Sequence, residues 1–250
     1  MNLTSVVLLV GGTGSRFSSL NQPPKQLSKL NKNEILIHII KNIKRYGLNH
    51  FILPLGYKKN FFVNFLKSKK NVKKYRLNIL GNKFKIEDLK KNKINISFFD
   101  AGKKTNKLTR VSKSLRYIIG KYLLVVYGDD LANINLNKLF HRFNMFKKKK
   151  AIITVCKKKS QYGHVLLDKK KNVKKFIEKP KLADPINMGY YLMDSSLIKK
   201  FKRKSFELEN DFIPILIKKK LLQSYEHKGY FYSINDKKEL INAEKRLKKN

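Results

Sequence analysis

The chain has 250 residues, with 58 Lys and Arg against 17 Asp and Glu, a formal net charge of +41 and 42% hydrophobic residues. That length and apolar fraction exclude a disordered tail and suffice for the full core of one domain. No stretch approaches the roughly 18 uncharged apolar residues of a membrane span, and Cys156 as the only cysteine excludes an intrachain disulfide, so a reducing cytoplasm is the expected compartment.

The charge excess points first to nucleic acid or an anionic surface. Yet 50 of the 58 cations are Lys and only 8 are Arg, and Asn and Ile are plentiful as well. A/T-rich codons produce that composition without any function. The lysines run the whole length instead of forming one face, and readers of nucleic acid lean on Arg for bidentate contacts. Neither a specific nucleic acid nor a membrane is expected as a partner.

In chain order, Thr4–Val10 is a buried strand closed by glycines, too short and without the basic leader of a signal peptide. Glu34–Tyr46 carries Ile35, Ile39, Ile40 and Ile43 at helical spacing and stops at Gly47. Phe51–Leu55 is a second strand and Asn60–Phe65 begins a helix. Lys67–Lys93 is lysine-rich and aperiodic, which suits a flexible lid or a contact with a neighbouring subunit. Ile94–Phe99 is a strand, Leu108–Ile119 a helix, Tyr122–Tyr127 the most apolar strand, Leu136–Phe146 a helix and Ala151–Val155 a strand. Strands alternating with single helices predict an α/β, doubly wound, Rossmann-like and mostly parallel sheet.

The rhythm then changes. Gly163–Leu167 and Val173–Ile177 form a hairpin, Met188–Met193 is a strand and Glu207–Ile217 a helix. Tyr225 with Tyr230–Ile234 suggests a last hairpin, and Lys237–Leu247 a closing helix. The C-terminal half therefore reads as a small α+β annex at the sheet's edge. The whole, 1–250, is one domain with a core over 1–155 and a second part over 156–250. No internal repeat is present.

Ligands in an open parallel sheet bind outside the carboxyl ends of the strands. Three motifs fall there. "GGTGSR", Gly11, Gly12, Thr13, Gly14, Ser15 and Arg16, lacks both the G-x-x-x-x-G-K-[ST] and the G-x-G-x-x-G pattern. Its glycines still let backbone N–H groups approach an anion, Arg16 adds a forked donor, and Lys25 on its Pro-Pro stem reaches the same anion. "YGDD", Tyr127–Asp130, puts a carboxylate at the same edge, suited to Mg²⁺ sharing its shell with phosphates. "FIEKPK", Phe176–Lys181, offers Lys179 as a clamp on a second phosphate. Taken alone, an ordinary turn explains either of the first two motifs, and a solvated lysine the third. The five histidines show no metal-ligand spacing.

Taken in order, the parts resemble the sugar-1-phosphate nucleotidyltransferases, most of all the glucose-1-phosphate cytidylyltransferases. The likeness extends over "GYKKNFFVNFL" (56–66), "DAGKKTNKLTRV" (100–111), "YGDDLANINLNKL" (127–139), "YGHVLLDKKKNVKKFIEKP" (162–180) and "INMGYYLMDSSLI" (186–198), essentially the whole chain. It implies that the core binds a nucleoside triphosphate, CTP favoured, through Gly11–Arg16, Lys25 and Arg110. Asp129 would bind Mg²⁺. Glu178, Lys179, Asn187 and Gly189 would meet the sugar phosphate in the second part. The product would be an activated sugar for a surface polysaccharide or deoxysugar. Family members are often oligomeric, so a homo-oligomer is compatible with the likeness. A sugar phosphate is already an anionic nucleophile, so the reaction needs cations, backbone N–H groups and Mg²⁺ rather than a strong base.

Departures bear on specificity. Leu108 and Thr109 stand where the cytidylyltransferases carry Gly-Gly, and Asp130 replaces a glycine. "PPKQL" is nearer to cytidylyltransferases that use sugar-alcohol phosphates. The family's second metal carboxylate falls on Asn235, with Asp236 one place later. Either Asp236 takes over, or one carboxylate holds the metal, or the site is impaired and the chain is a non-catalytic nucleotide binder. Another triphosphate or a polyol phosphate also fits these departures.

Overall fold

A computed structural model describes residues 4–11, 21–146, 150–199 and 206–247. Its strands are β1 (Thr4–Leu9), the two-residue pair β2 (Lys29–Leu30) and β3 (Asn33–Glu34), β4 (His50–Leu55), β5 (Leu77–Ile79), β6 (Ile94–Asp100), β7 (Tyr122–Tyr127) and β8 (Asp130–Ala132). They continue with β9 (Ala151–Cys156), β10 (His164–Leu167), β11 (Val173–Ile177), β12 (Ile186–Asp194), β13 (Leu222–Glu226) and β14 (Phe231–Ser233). The helices are α1 (Ile35–Lys44), α2 (Lys59–Lys67), α3 (Lys69–Tyr75), α4 (Lys107–Ser114), α5 (Leu136–Asn144), α6 (Ser195–Lys199), α7 (Ile213–Lys218) and α8 (Lys237–Leu247).

Eight strands form one sheet in the order β13-β9-β12-β7-β1-β4-β6-β5. Every ladder is parallel except the two that β12 makes, antiparallel, with β7 and β9. All six residues of β1 are buried, which follows from helices covering both faces. Val6 and Leu8 pack with α1 and α5 on one face, while Val7 and Leu9 pack with α4, α6 and α7 on the other. The doubly wound layout expected from the alternating pattern is thus the observed one. From β1 the chain runs outward through β4 to β5 at the edge, steps back to β6, then returns to place β7 on β1's other side. That reversal puts the crevice for a ligand between the ends of β1 and β7.

Four local expectations change. β13 and β14 do not pair with each other: β13 lies parallel to β9 at the sheet's edge, and β14 pairs antiparallel with β8, Ser233 opposite Asp130. Parallel pairing and partners distant in sequence leave no turn signal to read. The helix expected over Glu207–Ile217 begins as a single π turn, Leu208–Phe212, before α7. The helix expected over Leu108–Ile119 stops at Ser114 and tightens to a 3₁₀ turn, Leu115–Tyr117. Finally, the first half of the lysine-rich segment, 69–79, is packed into the fold rather than aperiodic. Tyr75 of α3 buries its ring and donates to Glu34 at 2.6 Å, and β5 extends the sheet beside β6. The C-terminal half contributes β12 and β13 to the main sheet, and its stand-alone piece is the exposed hairpin β10–β11. Among the described residues no helix is long and apolar enough to cross a membrane.

Candidate functional site

Beside the end of β1, on its β4 side, two neighbouring strands part company. β1 and β4 pair only through Val6↔Phe51 and Val7↔Ile52. Two residues further on, β4 carries Pro54, which has no N–H to give to a ladder. The Arg110 guanidinium enters that gap. Nε donates to the Thr105 carbonyl at 2.9 Å, Nη1 to the Pro54 carbonyl at 3.2 Å and Nη2 to the Gly102 carbonyl at 3.2 Å. Only 5% of Arg110 is exposed, and burial pulls its pKa down while Asp100 opposes the shift. A Cβ on Gly11 would stand 1.7 Å from Nη1, and one on Gly56 2.4 Å, so a side chain at either place would evict the guanidinium. Glycine at 11 serves this close approach.

On the other side of β1, Lys25 forms an ion pair with Asp129 and donates to Asn235 Oδ1 at 3.3 Å. Three distant segments meet here. Lys25 leads a 3₁₀ turn, Lys25–Leu27, while Asp129 follows β7. The β8–β14 ladder and the bond from Ile234 N–H to the Asp129 carbonyl, 3.0 Å, bring in Asn235. Asp236 is not part of this cluster: its carboxylate accepts from Glu239 N–H at 2.7 Å and caps α8. Of the two sequence candidates beside Asp129, the structure therefore brings Asn235 to it.

Asp130, next along, is 5% exposed, and its Oδ1 has no hydrogen-bond partner. Burial first and Asp129 second push its carboxyl up to about 7, which the Ser233 hydroxyl partly offsets. A cavity of about 440 Å³ is lined among others by Leu9, Gly11, Lys25, Arg110, Tyr127 and Asp129, though not by Asp130 or Asn235. A larger cavity of about 610 Å³ between α2 and β6 contains none of them.

The other sequence candidates fare differently. Gly12, Thr13, Gly14, Ser15 and Arg16 lie outside the described residues. Asn187 sits at the start of β12, where its Oδ1 accepts from Gly189 N–H at 2.9 Å and its Nδ2 donates to the Tyr191 hydroxyl at 2.6 Å. Gly189 has φ +71, and a Cβ there would meet Asp130 Oδ2 at 2.4 Å. Glu178 and Lys179 follow the hairpin strand β11, pair with each other at 3.3 Å and have side chains each 60% exposed. Neither lines the cavity. Leu108 and Thr109 do not line it either, since Leu108 is buried in the core beneath α4.

Residues not singled out from the sequence also line the cavity: Gln26, buried beside Lys25, and Lys107, whose ammonium lies 4.5 Å from the centre of the Tyr127 ring. A lysine among 50 carries no signal of its own.

Cations, a carboxylate and backbone at the switch point of a doubly wound sheet make a site for a phosphorylated ligand. Comparison with known proteins gives the class: the Nucleotidyl transferase family model matches residues 5–247, and the chain belongs to that family. It is 31% identical, over 96% of its own length and 94% of the relative's, to a protein of Bacillus subtilis (strain 168) named "Probable glucose-1-phosphate cytidylyltransferase". It is 25% identical to a mannose-1-phosphate guanyltransferase of Saccharomyces cerevisiae, of which it spans 63%. In fold it resembles HddC from Yersinia pseudotuberculosis complexed with GMP-PN, at a TM-score of 0.70 and 19% identity over 97% of this chain and 99% of that one. It also resembles a UDP-glucose pyrophosphorylase complexed with UDP-glucose, at 0.71 and 14% over 99% of both chains.

Proposed function

We propose that the chain transfers CMP from CTP to a sugar 1-phosphate, releasing pyrophosphate. The observation that carries the reading is the gathering of Lys25, Asp129, Arg110 and Gly11 around one cavity at the switch point, with Asn235 bonded to Lys25. The cytidylyl part of it is supported by the Bacillus subtilis relative, which is matched over 94% of its length.

In the step itself a phosphate oxygen of the sugar phosphate attacks the α-phosphorus of CTP. A P–O bond forms there as the bond to the β-phosphate bridging oxygen breaks, and pyrophosphate leaves with the electron pair. No proton needs to be removed from the nucleophile. Lys25 meets the triphosphate from the β1 side and draws its charge toward Asp129's end of the cavity. Arg110, fixed by three carbonyls, contributes a rigid positive wall that costs no reorganisation during the step. Backbone at Gly11 is free to lie close to the phosphates.

The donor set suits a divalent cation. Asp129 and Asn235 offer hard oxygens, and both already contact one cation, the Lys25 ammonium. Bound there, Mg²⁺ would neutralise phosphate charge. Asp129 and the Asn235 carboxamide would hold it, and Asp236 would not. On the acceptor side, Asn187 and the Gly189 backbone face the sugar, with Glu178 and Lys179 on the hairpin meeting its phosphate.

Pyrophosphate release, measured with Mg²⁺ across CTP, UTP, dTTP, GTP and ATP against a panel of sugar and polyol phosphates, tests the whole reading. Release with CTP and one sugar 1-phosphate is expected. Release with GTP and mannose 1-phosphate, or with a polyol phosphate, would keep the chemistry and replace the substrates. Silence across the panel, with CTP still raising the melting temperature, would favour a nucleotide-binding protein without turnover.

A further inference from the structure

A line of hydrogen bonds runs from Asn187 on β12 to the wall of the cavity at Tyr127 and Lys107. Asn187 Nδ2 donates to the Tyr191 hydroxyl at 2.6 Å, and the Tyr191 and Tyr127 hydroxyls are 3.2 Å apart. The Tyr127 hydroxyl also bonds Glu209 Oε1, and the same oxygen receives the Lys107 ammonium. Tyr127 and Lys107 line the cavity, whereas Glu209 enters from the π turn that precedes α7. Such turns recur at functional sites.

The direction of this line follows from proton counting. A carboxylate only accepts, and a tyrosine hydroxyl has one proton. Tyr127 gives its proton to Glu209, so toward Tyr191 it can only accept. Tyr191 then gives its own proton to Tyr127, so toward Asn187 it too can only accept. Asn187 therefore turns its NH₂ group to Tyr191, the same orientation that Gly189 N–H requires by donating to its carbonyl oxygen at 2.9 Å. The charges agree with that order. Glu209 is held below the usual carboxylate range, with its hydrogen bonds from Lys107 and Tyr127 outweighing burial. Burial pushes Tyr191 up to about 12 and Tyr127 further still, so both keep their protons.

We infer that Glu209 is a positioning residue: through Tyr127 it leaves the Tyr191 hydroxyl able only to accept from Asn187, which locks the carboxamide in the orientation that Gly189 N–H also requires, and through Lys107 it fixes a cation on the nucleotide wall. One carboxylate outside the reacting atoms thereby braces the acceptor side and sets the charge of the nucleotide side. The inference rests on the proposed placement of the sugar phosphate at Asn187, but the hydrogen-bond line itself does not.

Glu209→Gln tests both. A glutamine can donate as well as accept, so the proton order is no longer imposed and the Lys107 pairing loses its charge. The first readout is the Asn187 side-chain amide pair in a ¹⁵N–¹H spectrum, assigned by its loss in Asn187→Asp. It should shift in Glu209→Gln and should no longer respond to that change in a Tyr191→Phe background. An unmoved Asn187 amide would overturn the inference, whatever the protein catalyses. The second readout is kinetic. KM for the sugar phosphate should rise about tenfold or more in Glu209→Gln, with kcat within about threefold of wild type, as expected when one oriented hydrogen bond is lost. Glu209→Asp, which keeps the charge, should recover part of the loss. A fall in kcat alone with KM unchanged would also overturn the positioning role. If wild-type protein releases no pyrophosphate with any pair of substrates, the proposed function fails while the spectral arm still decides the line.

Discussion

His50 opens β4 between β1 and β6, fully buried, and gives a pH dependence whose size can be worked out. Its Nδ1 is 3.0 Å from the Ser5 hydroxyl on β1 and its Nε2 3.1 Å from the Ser97 hydroxyl on β6. Both partners are neutral hydroxyls, and the Ser5 oxygen also accepts from Ile119 N–H at 2.9 Å, so neither offers the ring a negative charge. Burial accordingly drives the His50 pKa from 6.5 to about 4. The unfolded chain therefore binds a proton that the folded chain refuses between those values. The stability due to neutral His50 is full above pH 6.5 and drains away as pH falls toward 4. At about 1.4 kcal/mol per pH unit, the loss across that window is about 3 kcal/mol. Asp130 acts oppositely: its raised pKa favours the folded state at low pH, an advantage lost as pH rises toward 7. Wild-type stability alone therefore mixes the two. The assay is urea unfolding followed by tyrosine fluorescence, in a chain with 12 Tyr and no Trp, for wild type and His50→Asn at several pH values from about 4 to 7. The stability difference, wild type minus variant, should grow by about 3 kcal/mol toward neutral pH and then flatten. A difference independent of pH would refute the reasoning.

Three further outcomes follow from the site. Asp129→Ala and Lys25→Ala should each lower kcat by about 10²-fold or more while leaving the circular dichroism spectrum unchanged; turnover at the wild-type rate in either would remove these residues from the site. Gly11→Ala should evict the Arg110 guanidinium, cost about 1–3 kcal/mol in urea unfolding and raise KM for the triphosphate. An unchanged KM would show that Arg110 does not face the nucleotide. Asn235→Asp should lower the Mg²⁺ concentration for half-maximal activity several-fold, because a second carboxylate beside Asp129 draws a divalent cation more strongly. A Mg²⁺ titration that does not move would take position 235 out of the cation site.

Much of this molecule could be read from the order of its residues, and what could not has physical causes. β1, α1, β7 and α8 carry periodic or continuous apolar patterns that hydration alone imposes, and each formed within a residue or two of its expected bounds. β5 was hidden because three residues, Leu77–Ile79, on the outer edge of the sheet and among lysines hold too little apolar pattern to register. The partners of β13 and β14 were hidden because ladder partners more than 70 residues apart are chosen by the assembled sheet, not by local sequence. The site divides along the same line. Gly11, Lys25 and Asp129 announced themselves through motifs, and the fold brings Lys25 and Asp129 into contact.

Arg110 was picked out by family likeness alone, and the fold adds its reason: Pro54 ends a ladder, and a guanidinium fills the vacancy between two glycines. Lys107 and Glu209, 102 residues apart, had no such announcement, since each is an ordinary charge until Tyr127 brings them to one point. Chemistry that touches substrate leaves a short motif, because the strand end fixes it locally. The residues that orient it are fixed by packing between segments distant in sequence, so they become visible when the sheet has closed and not before.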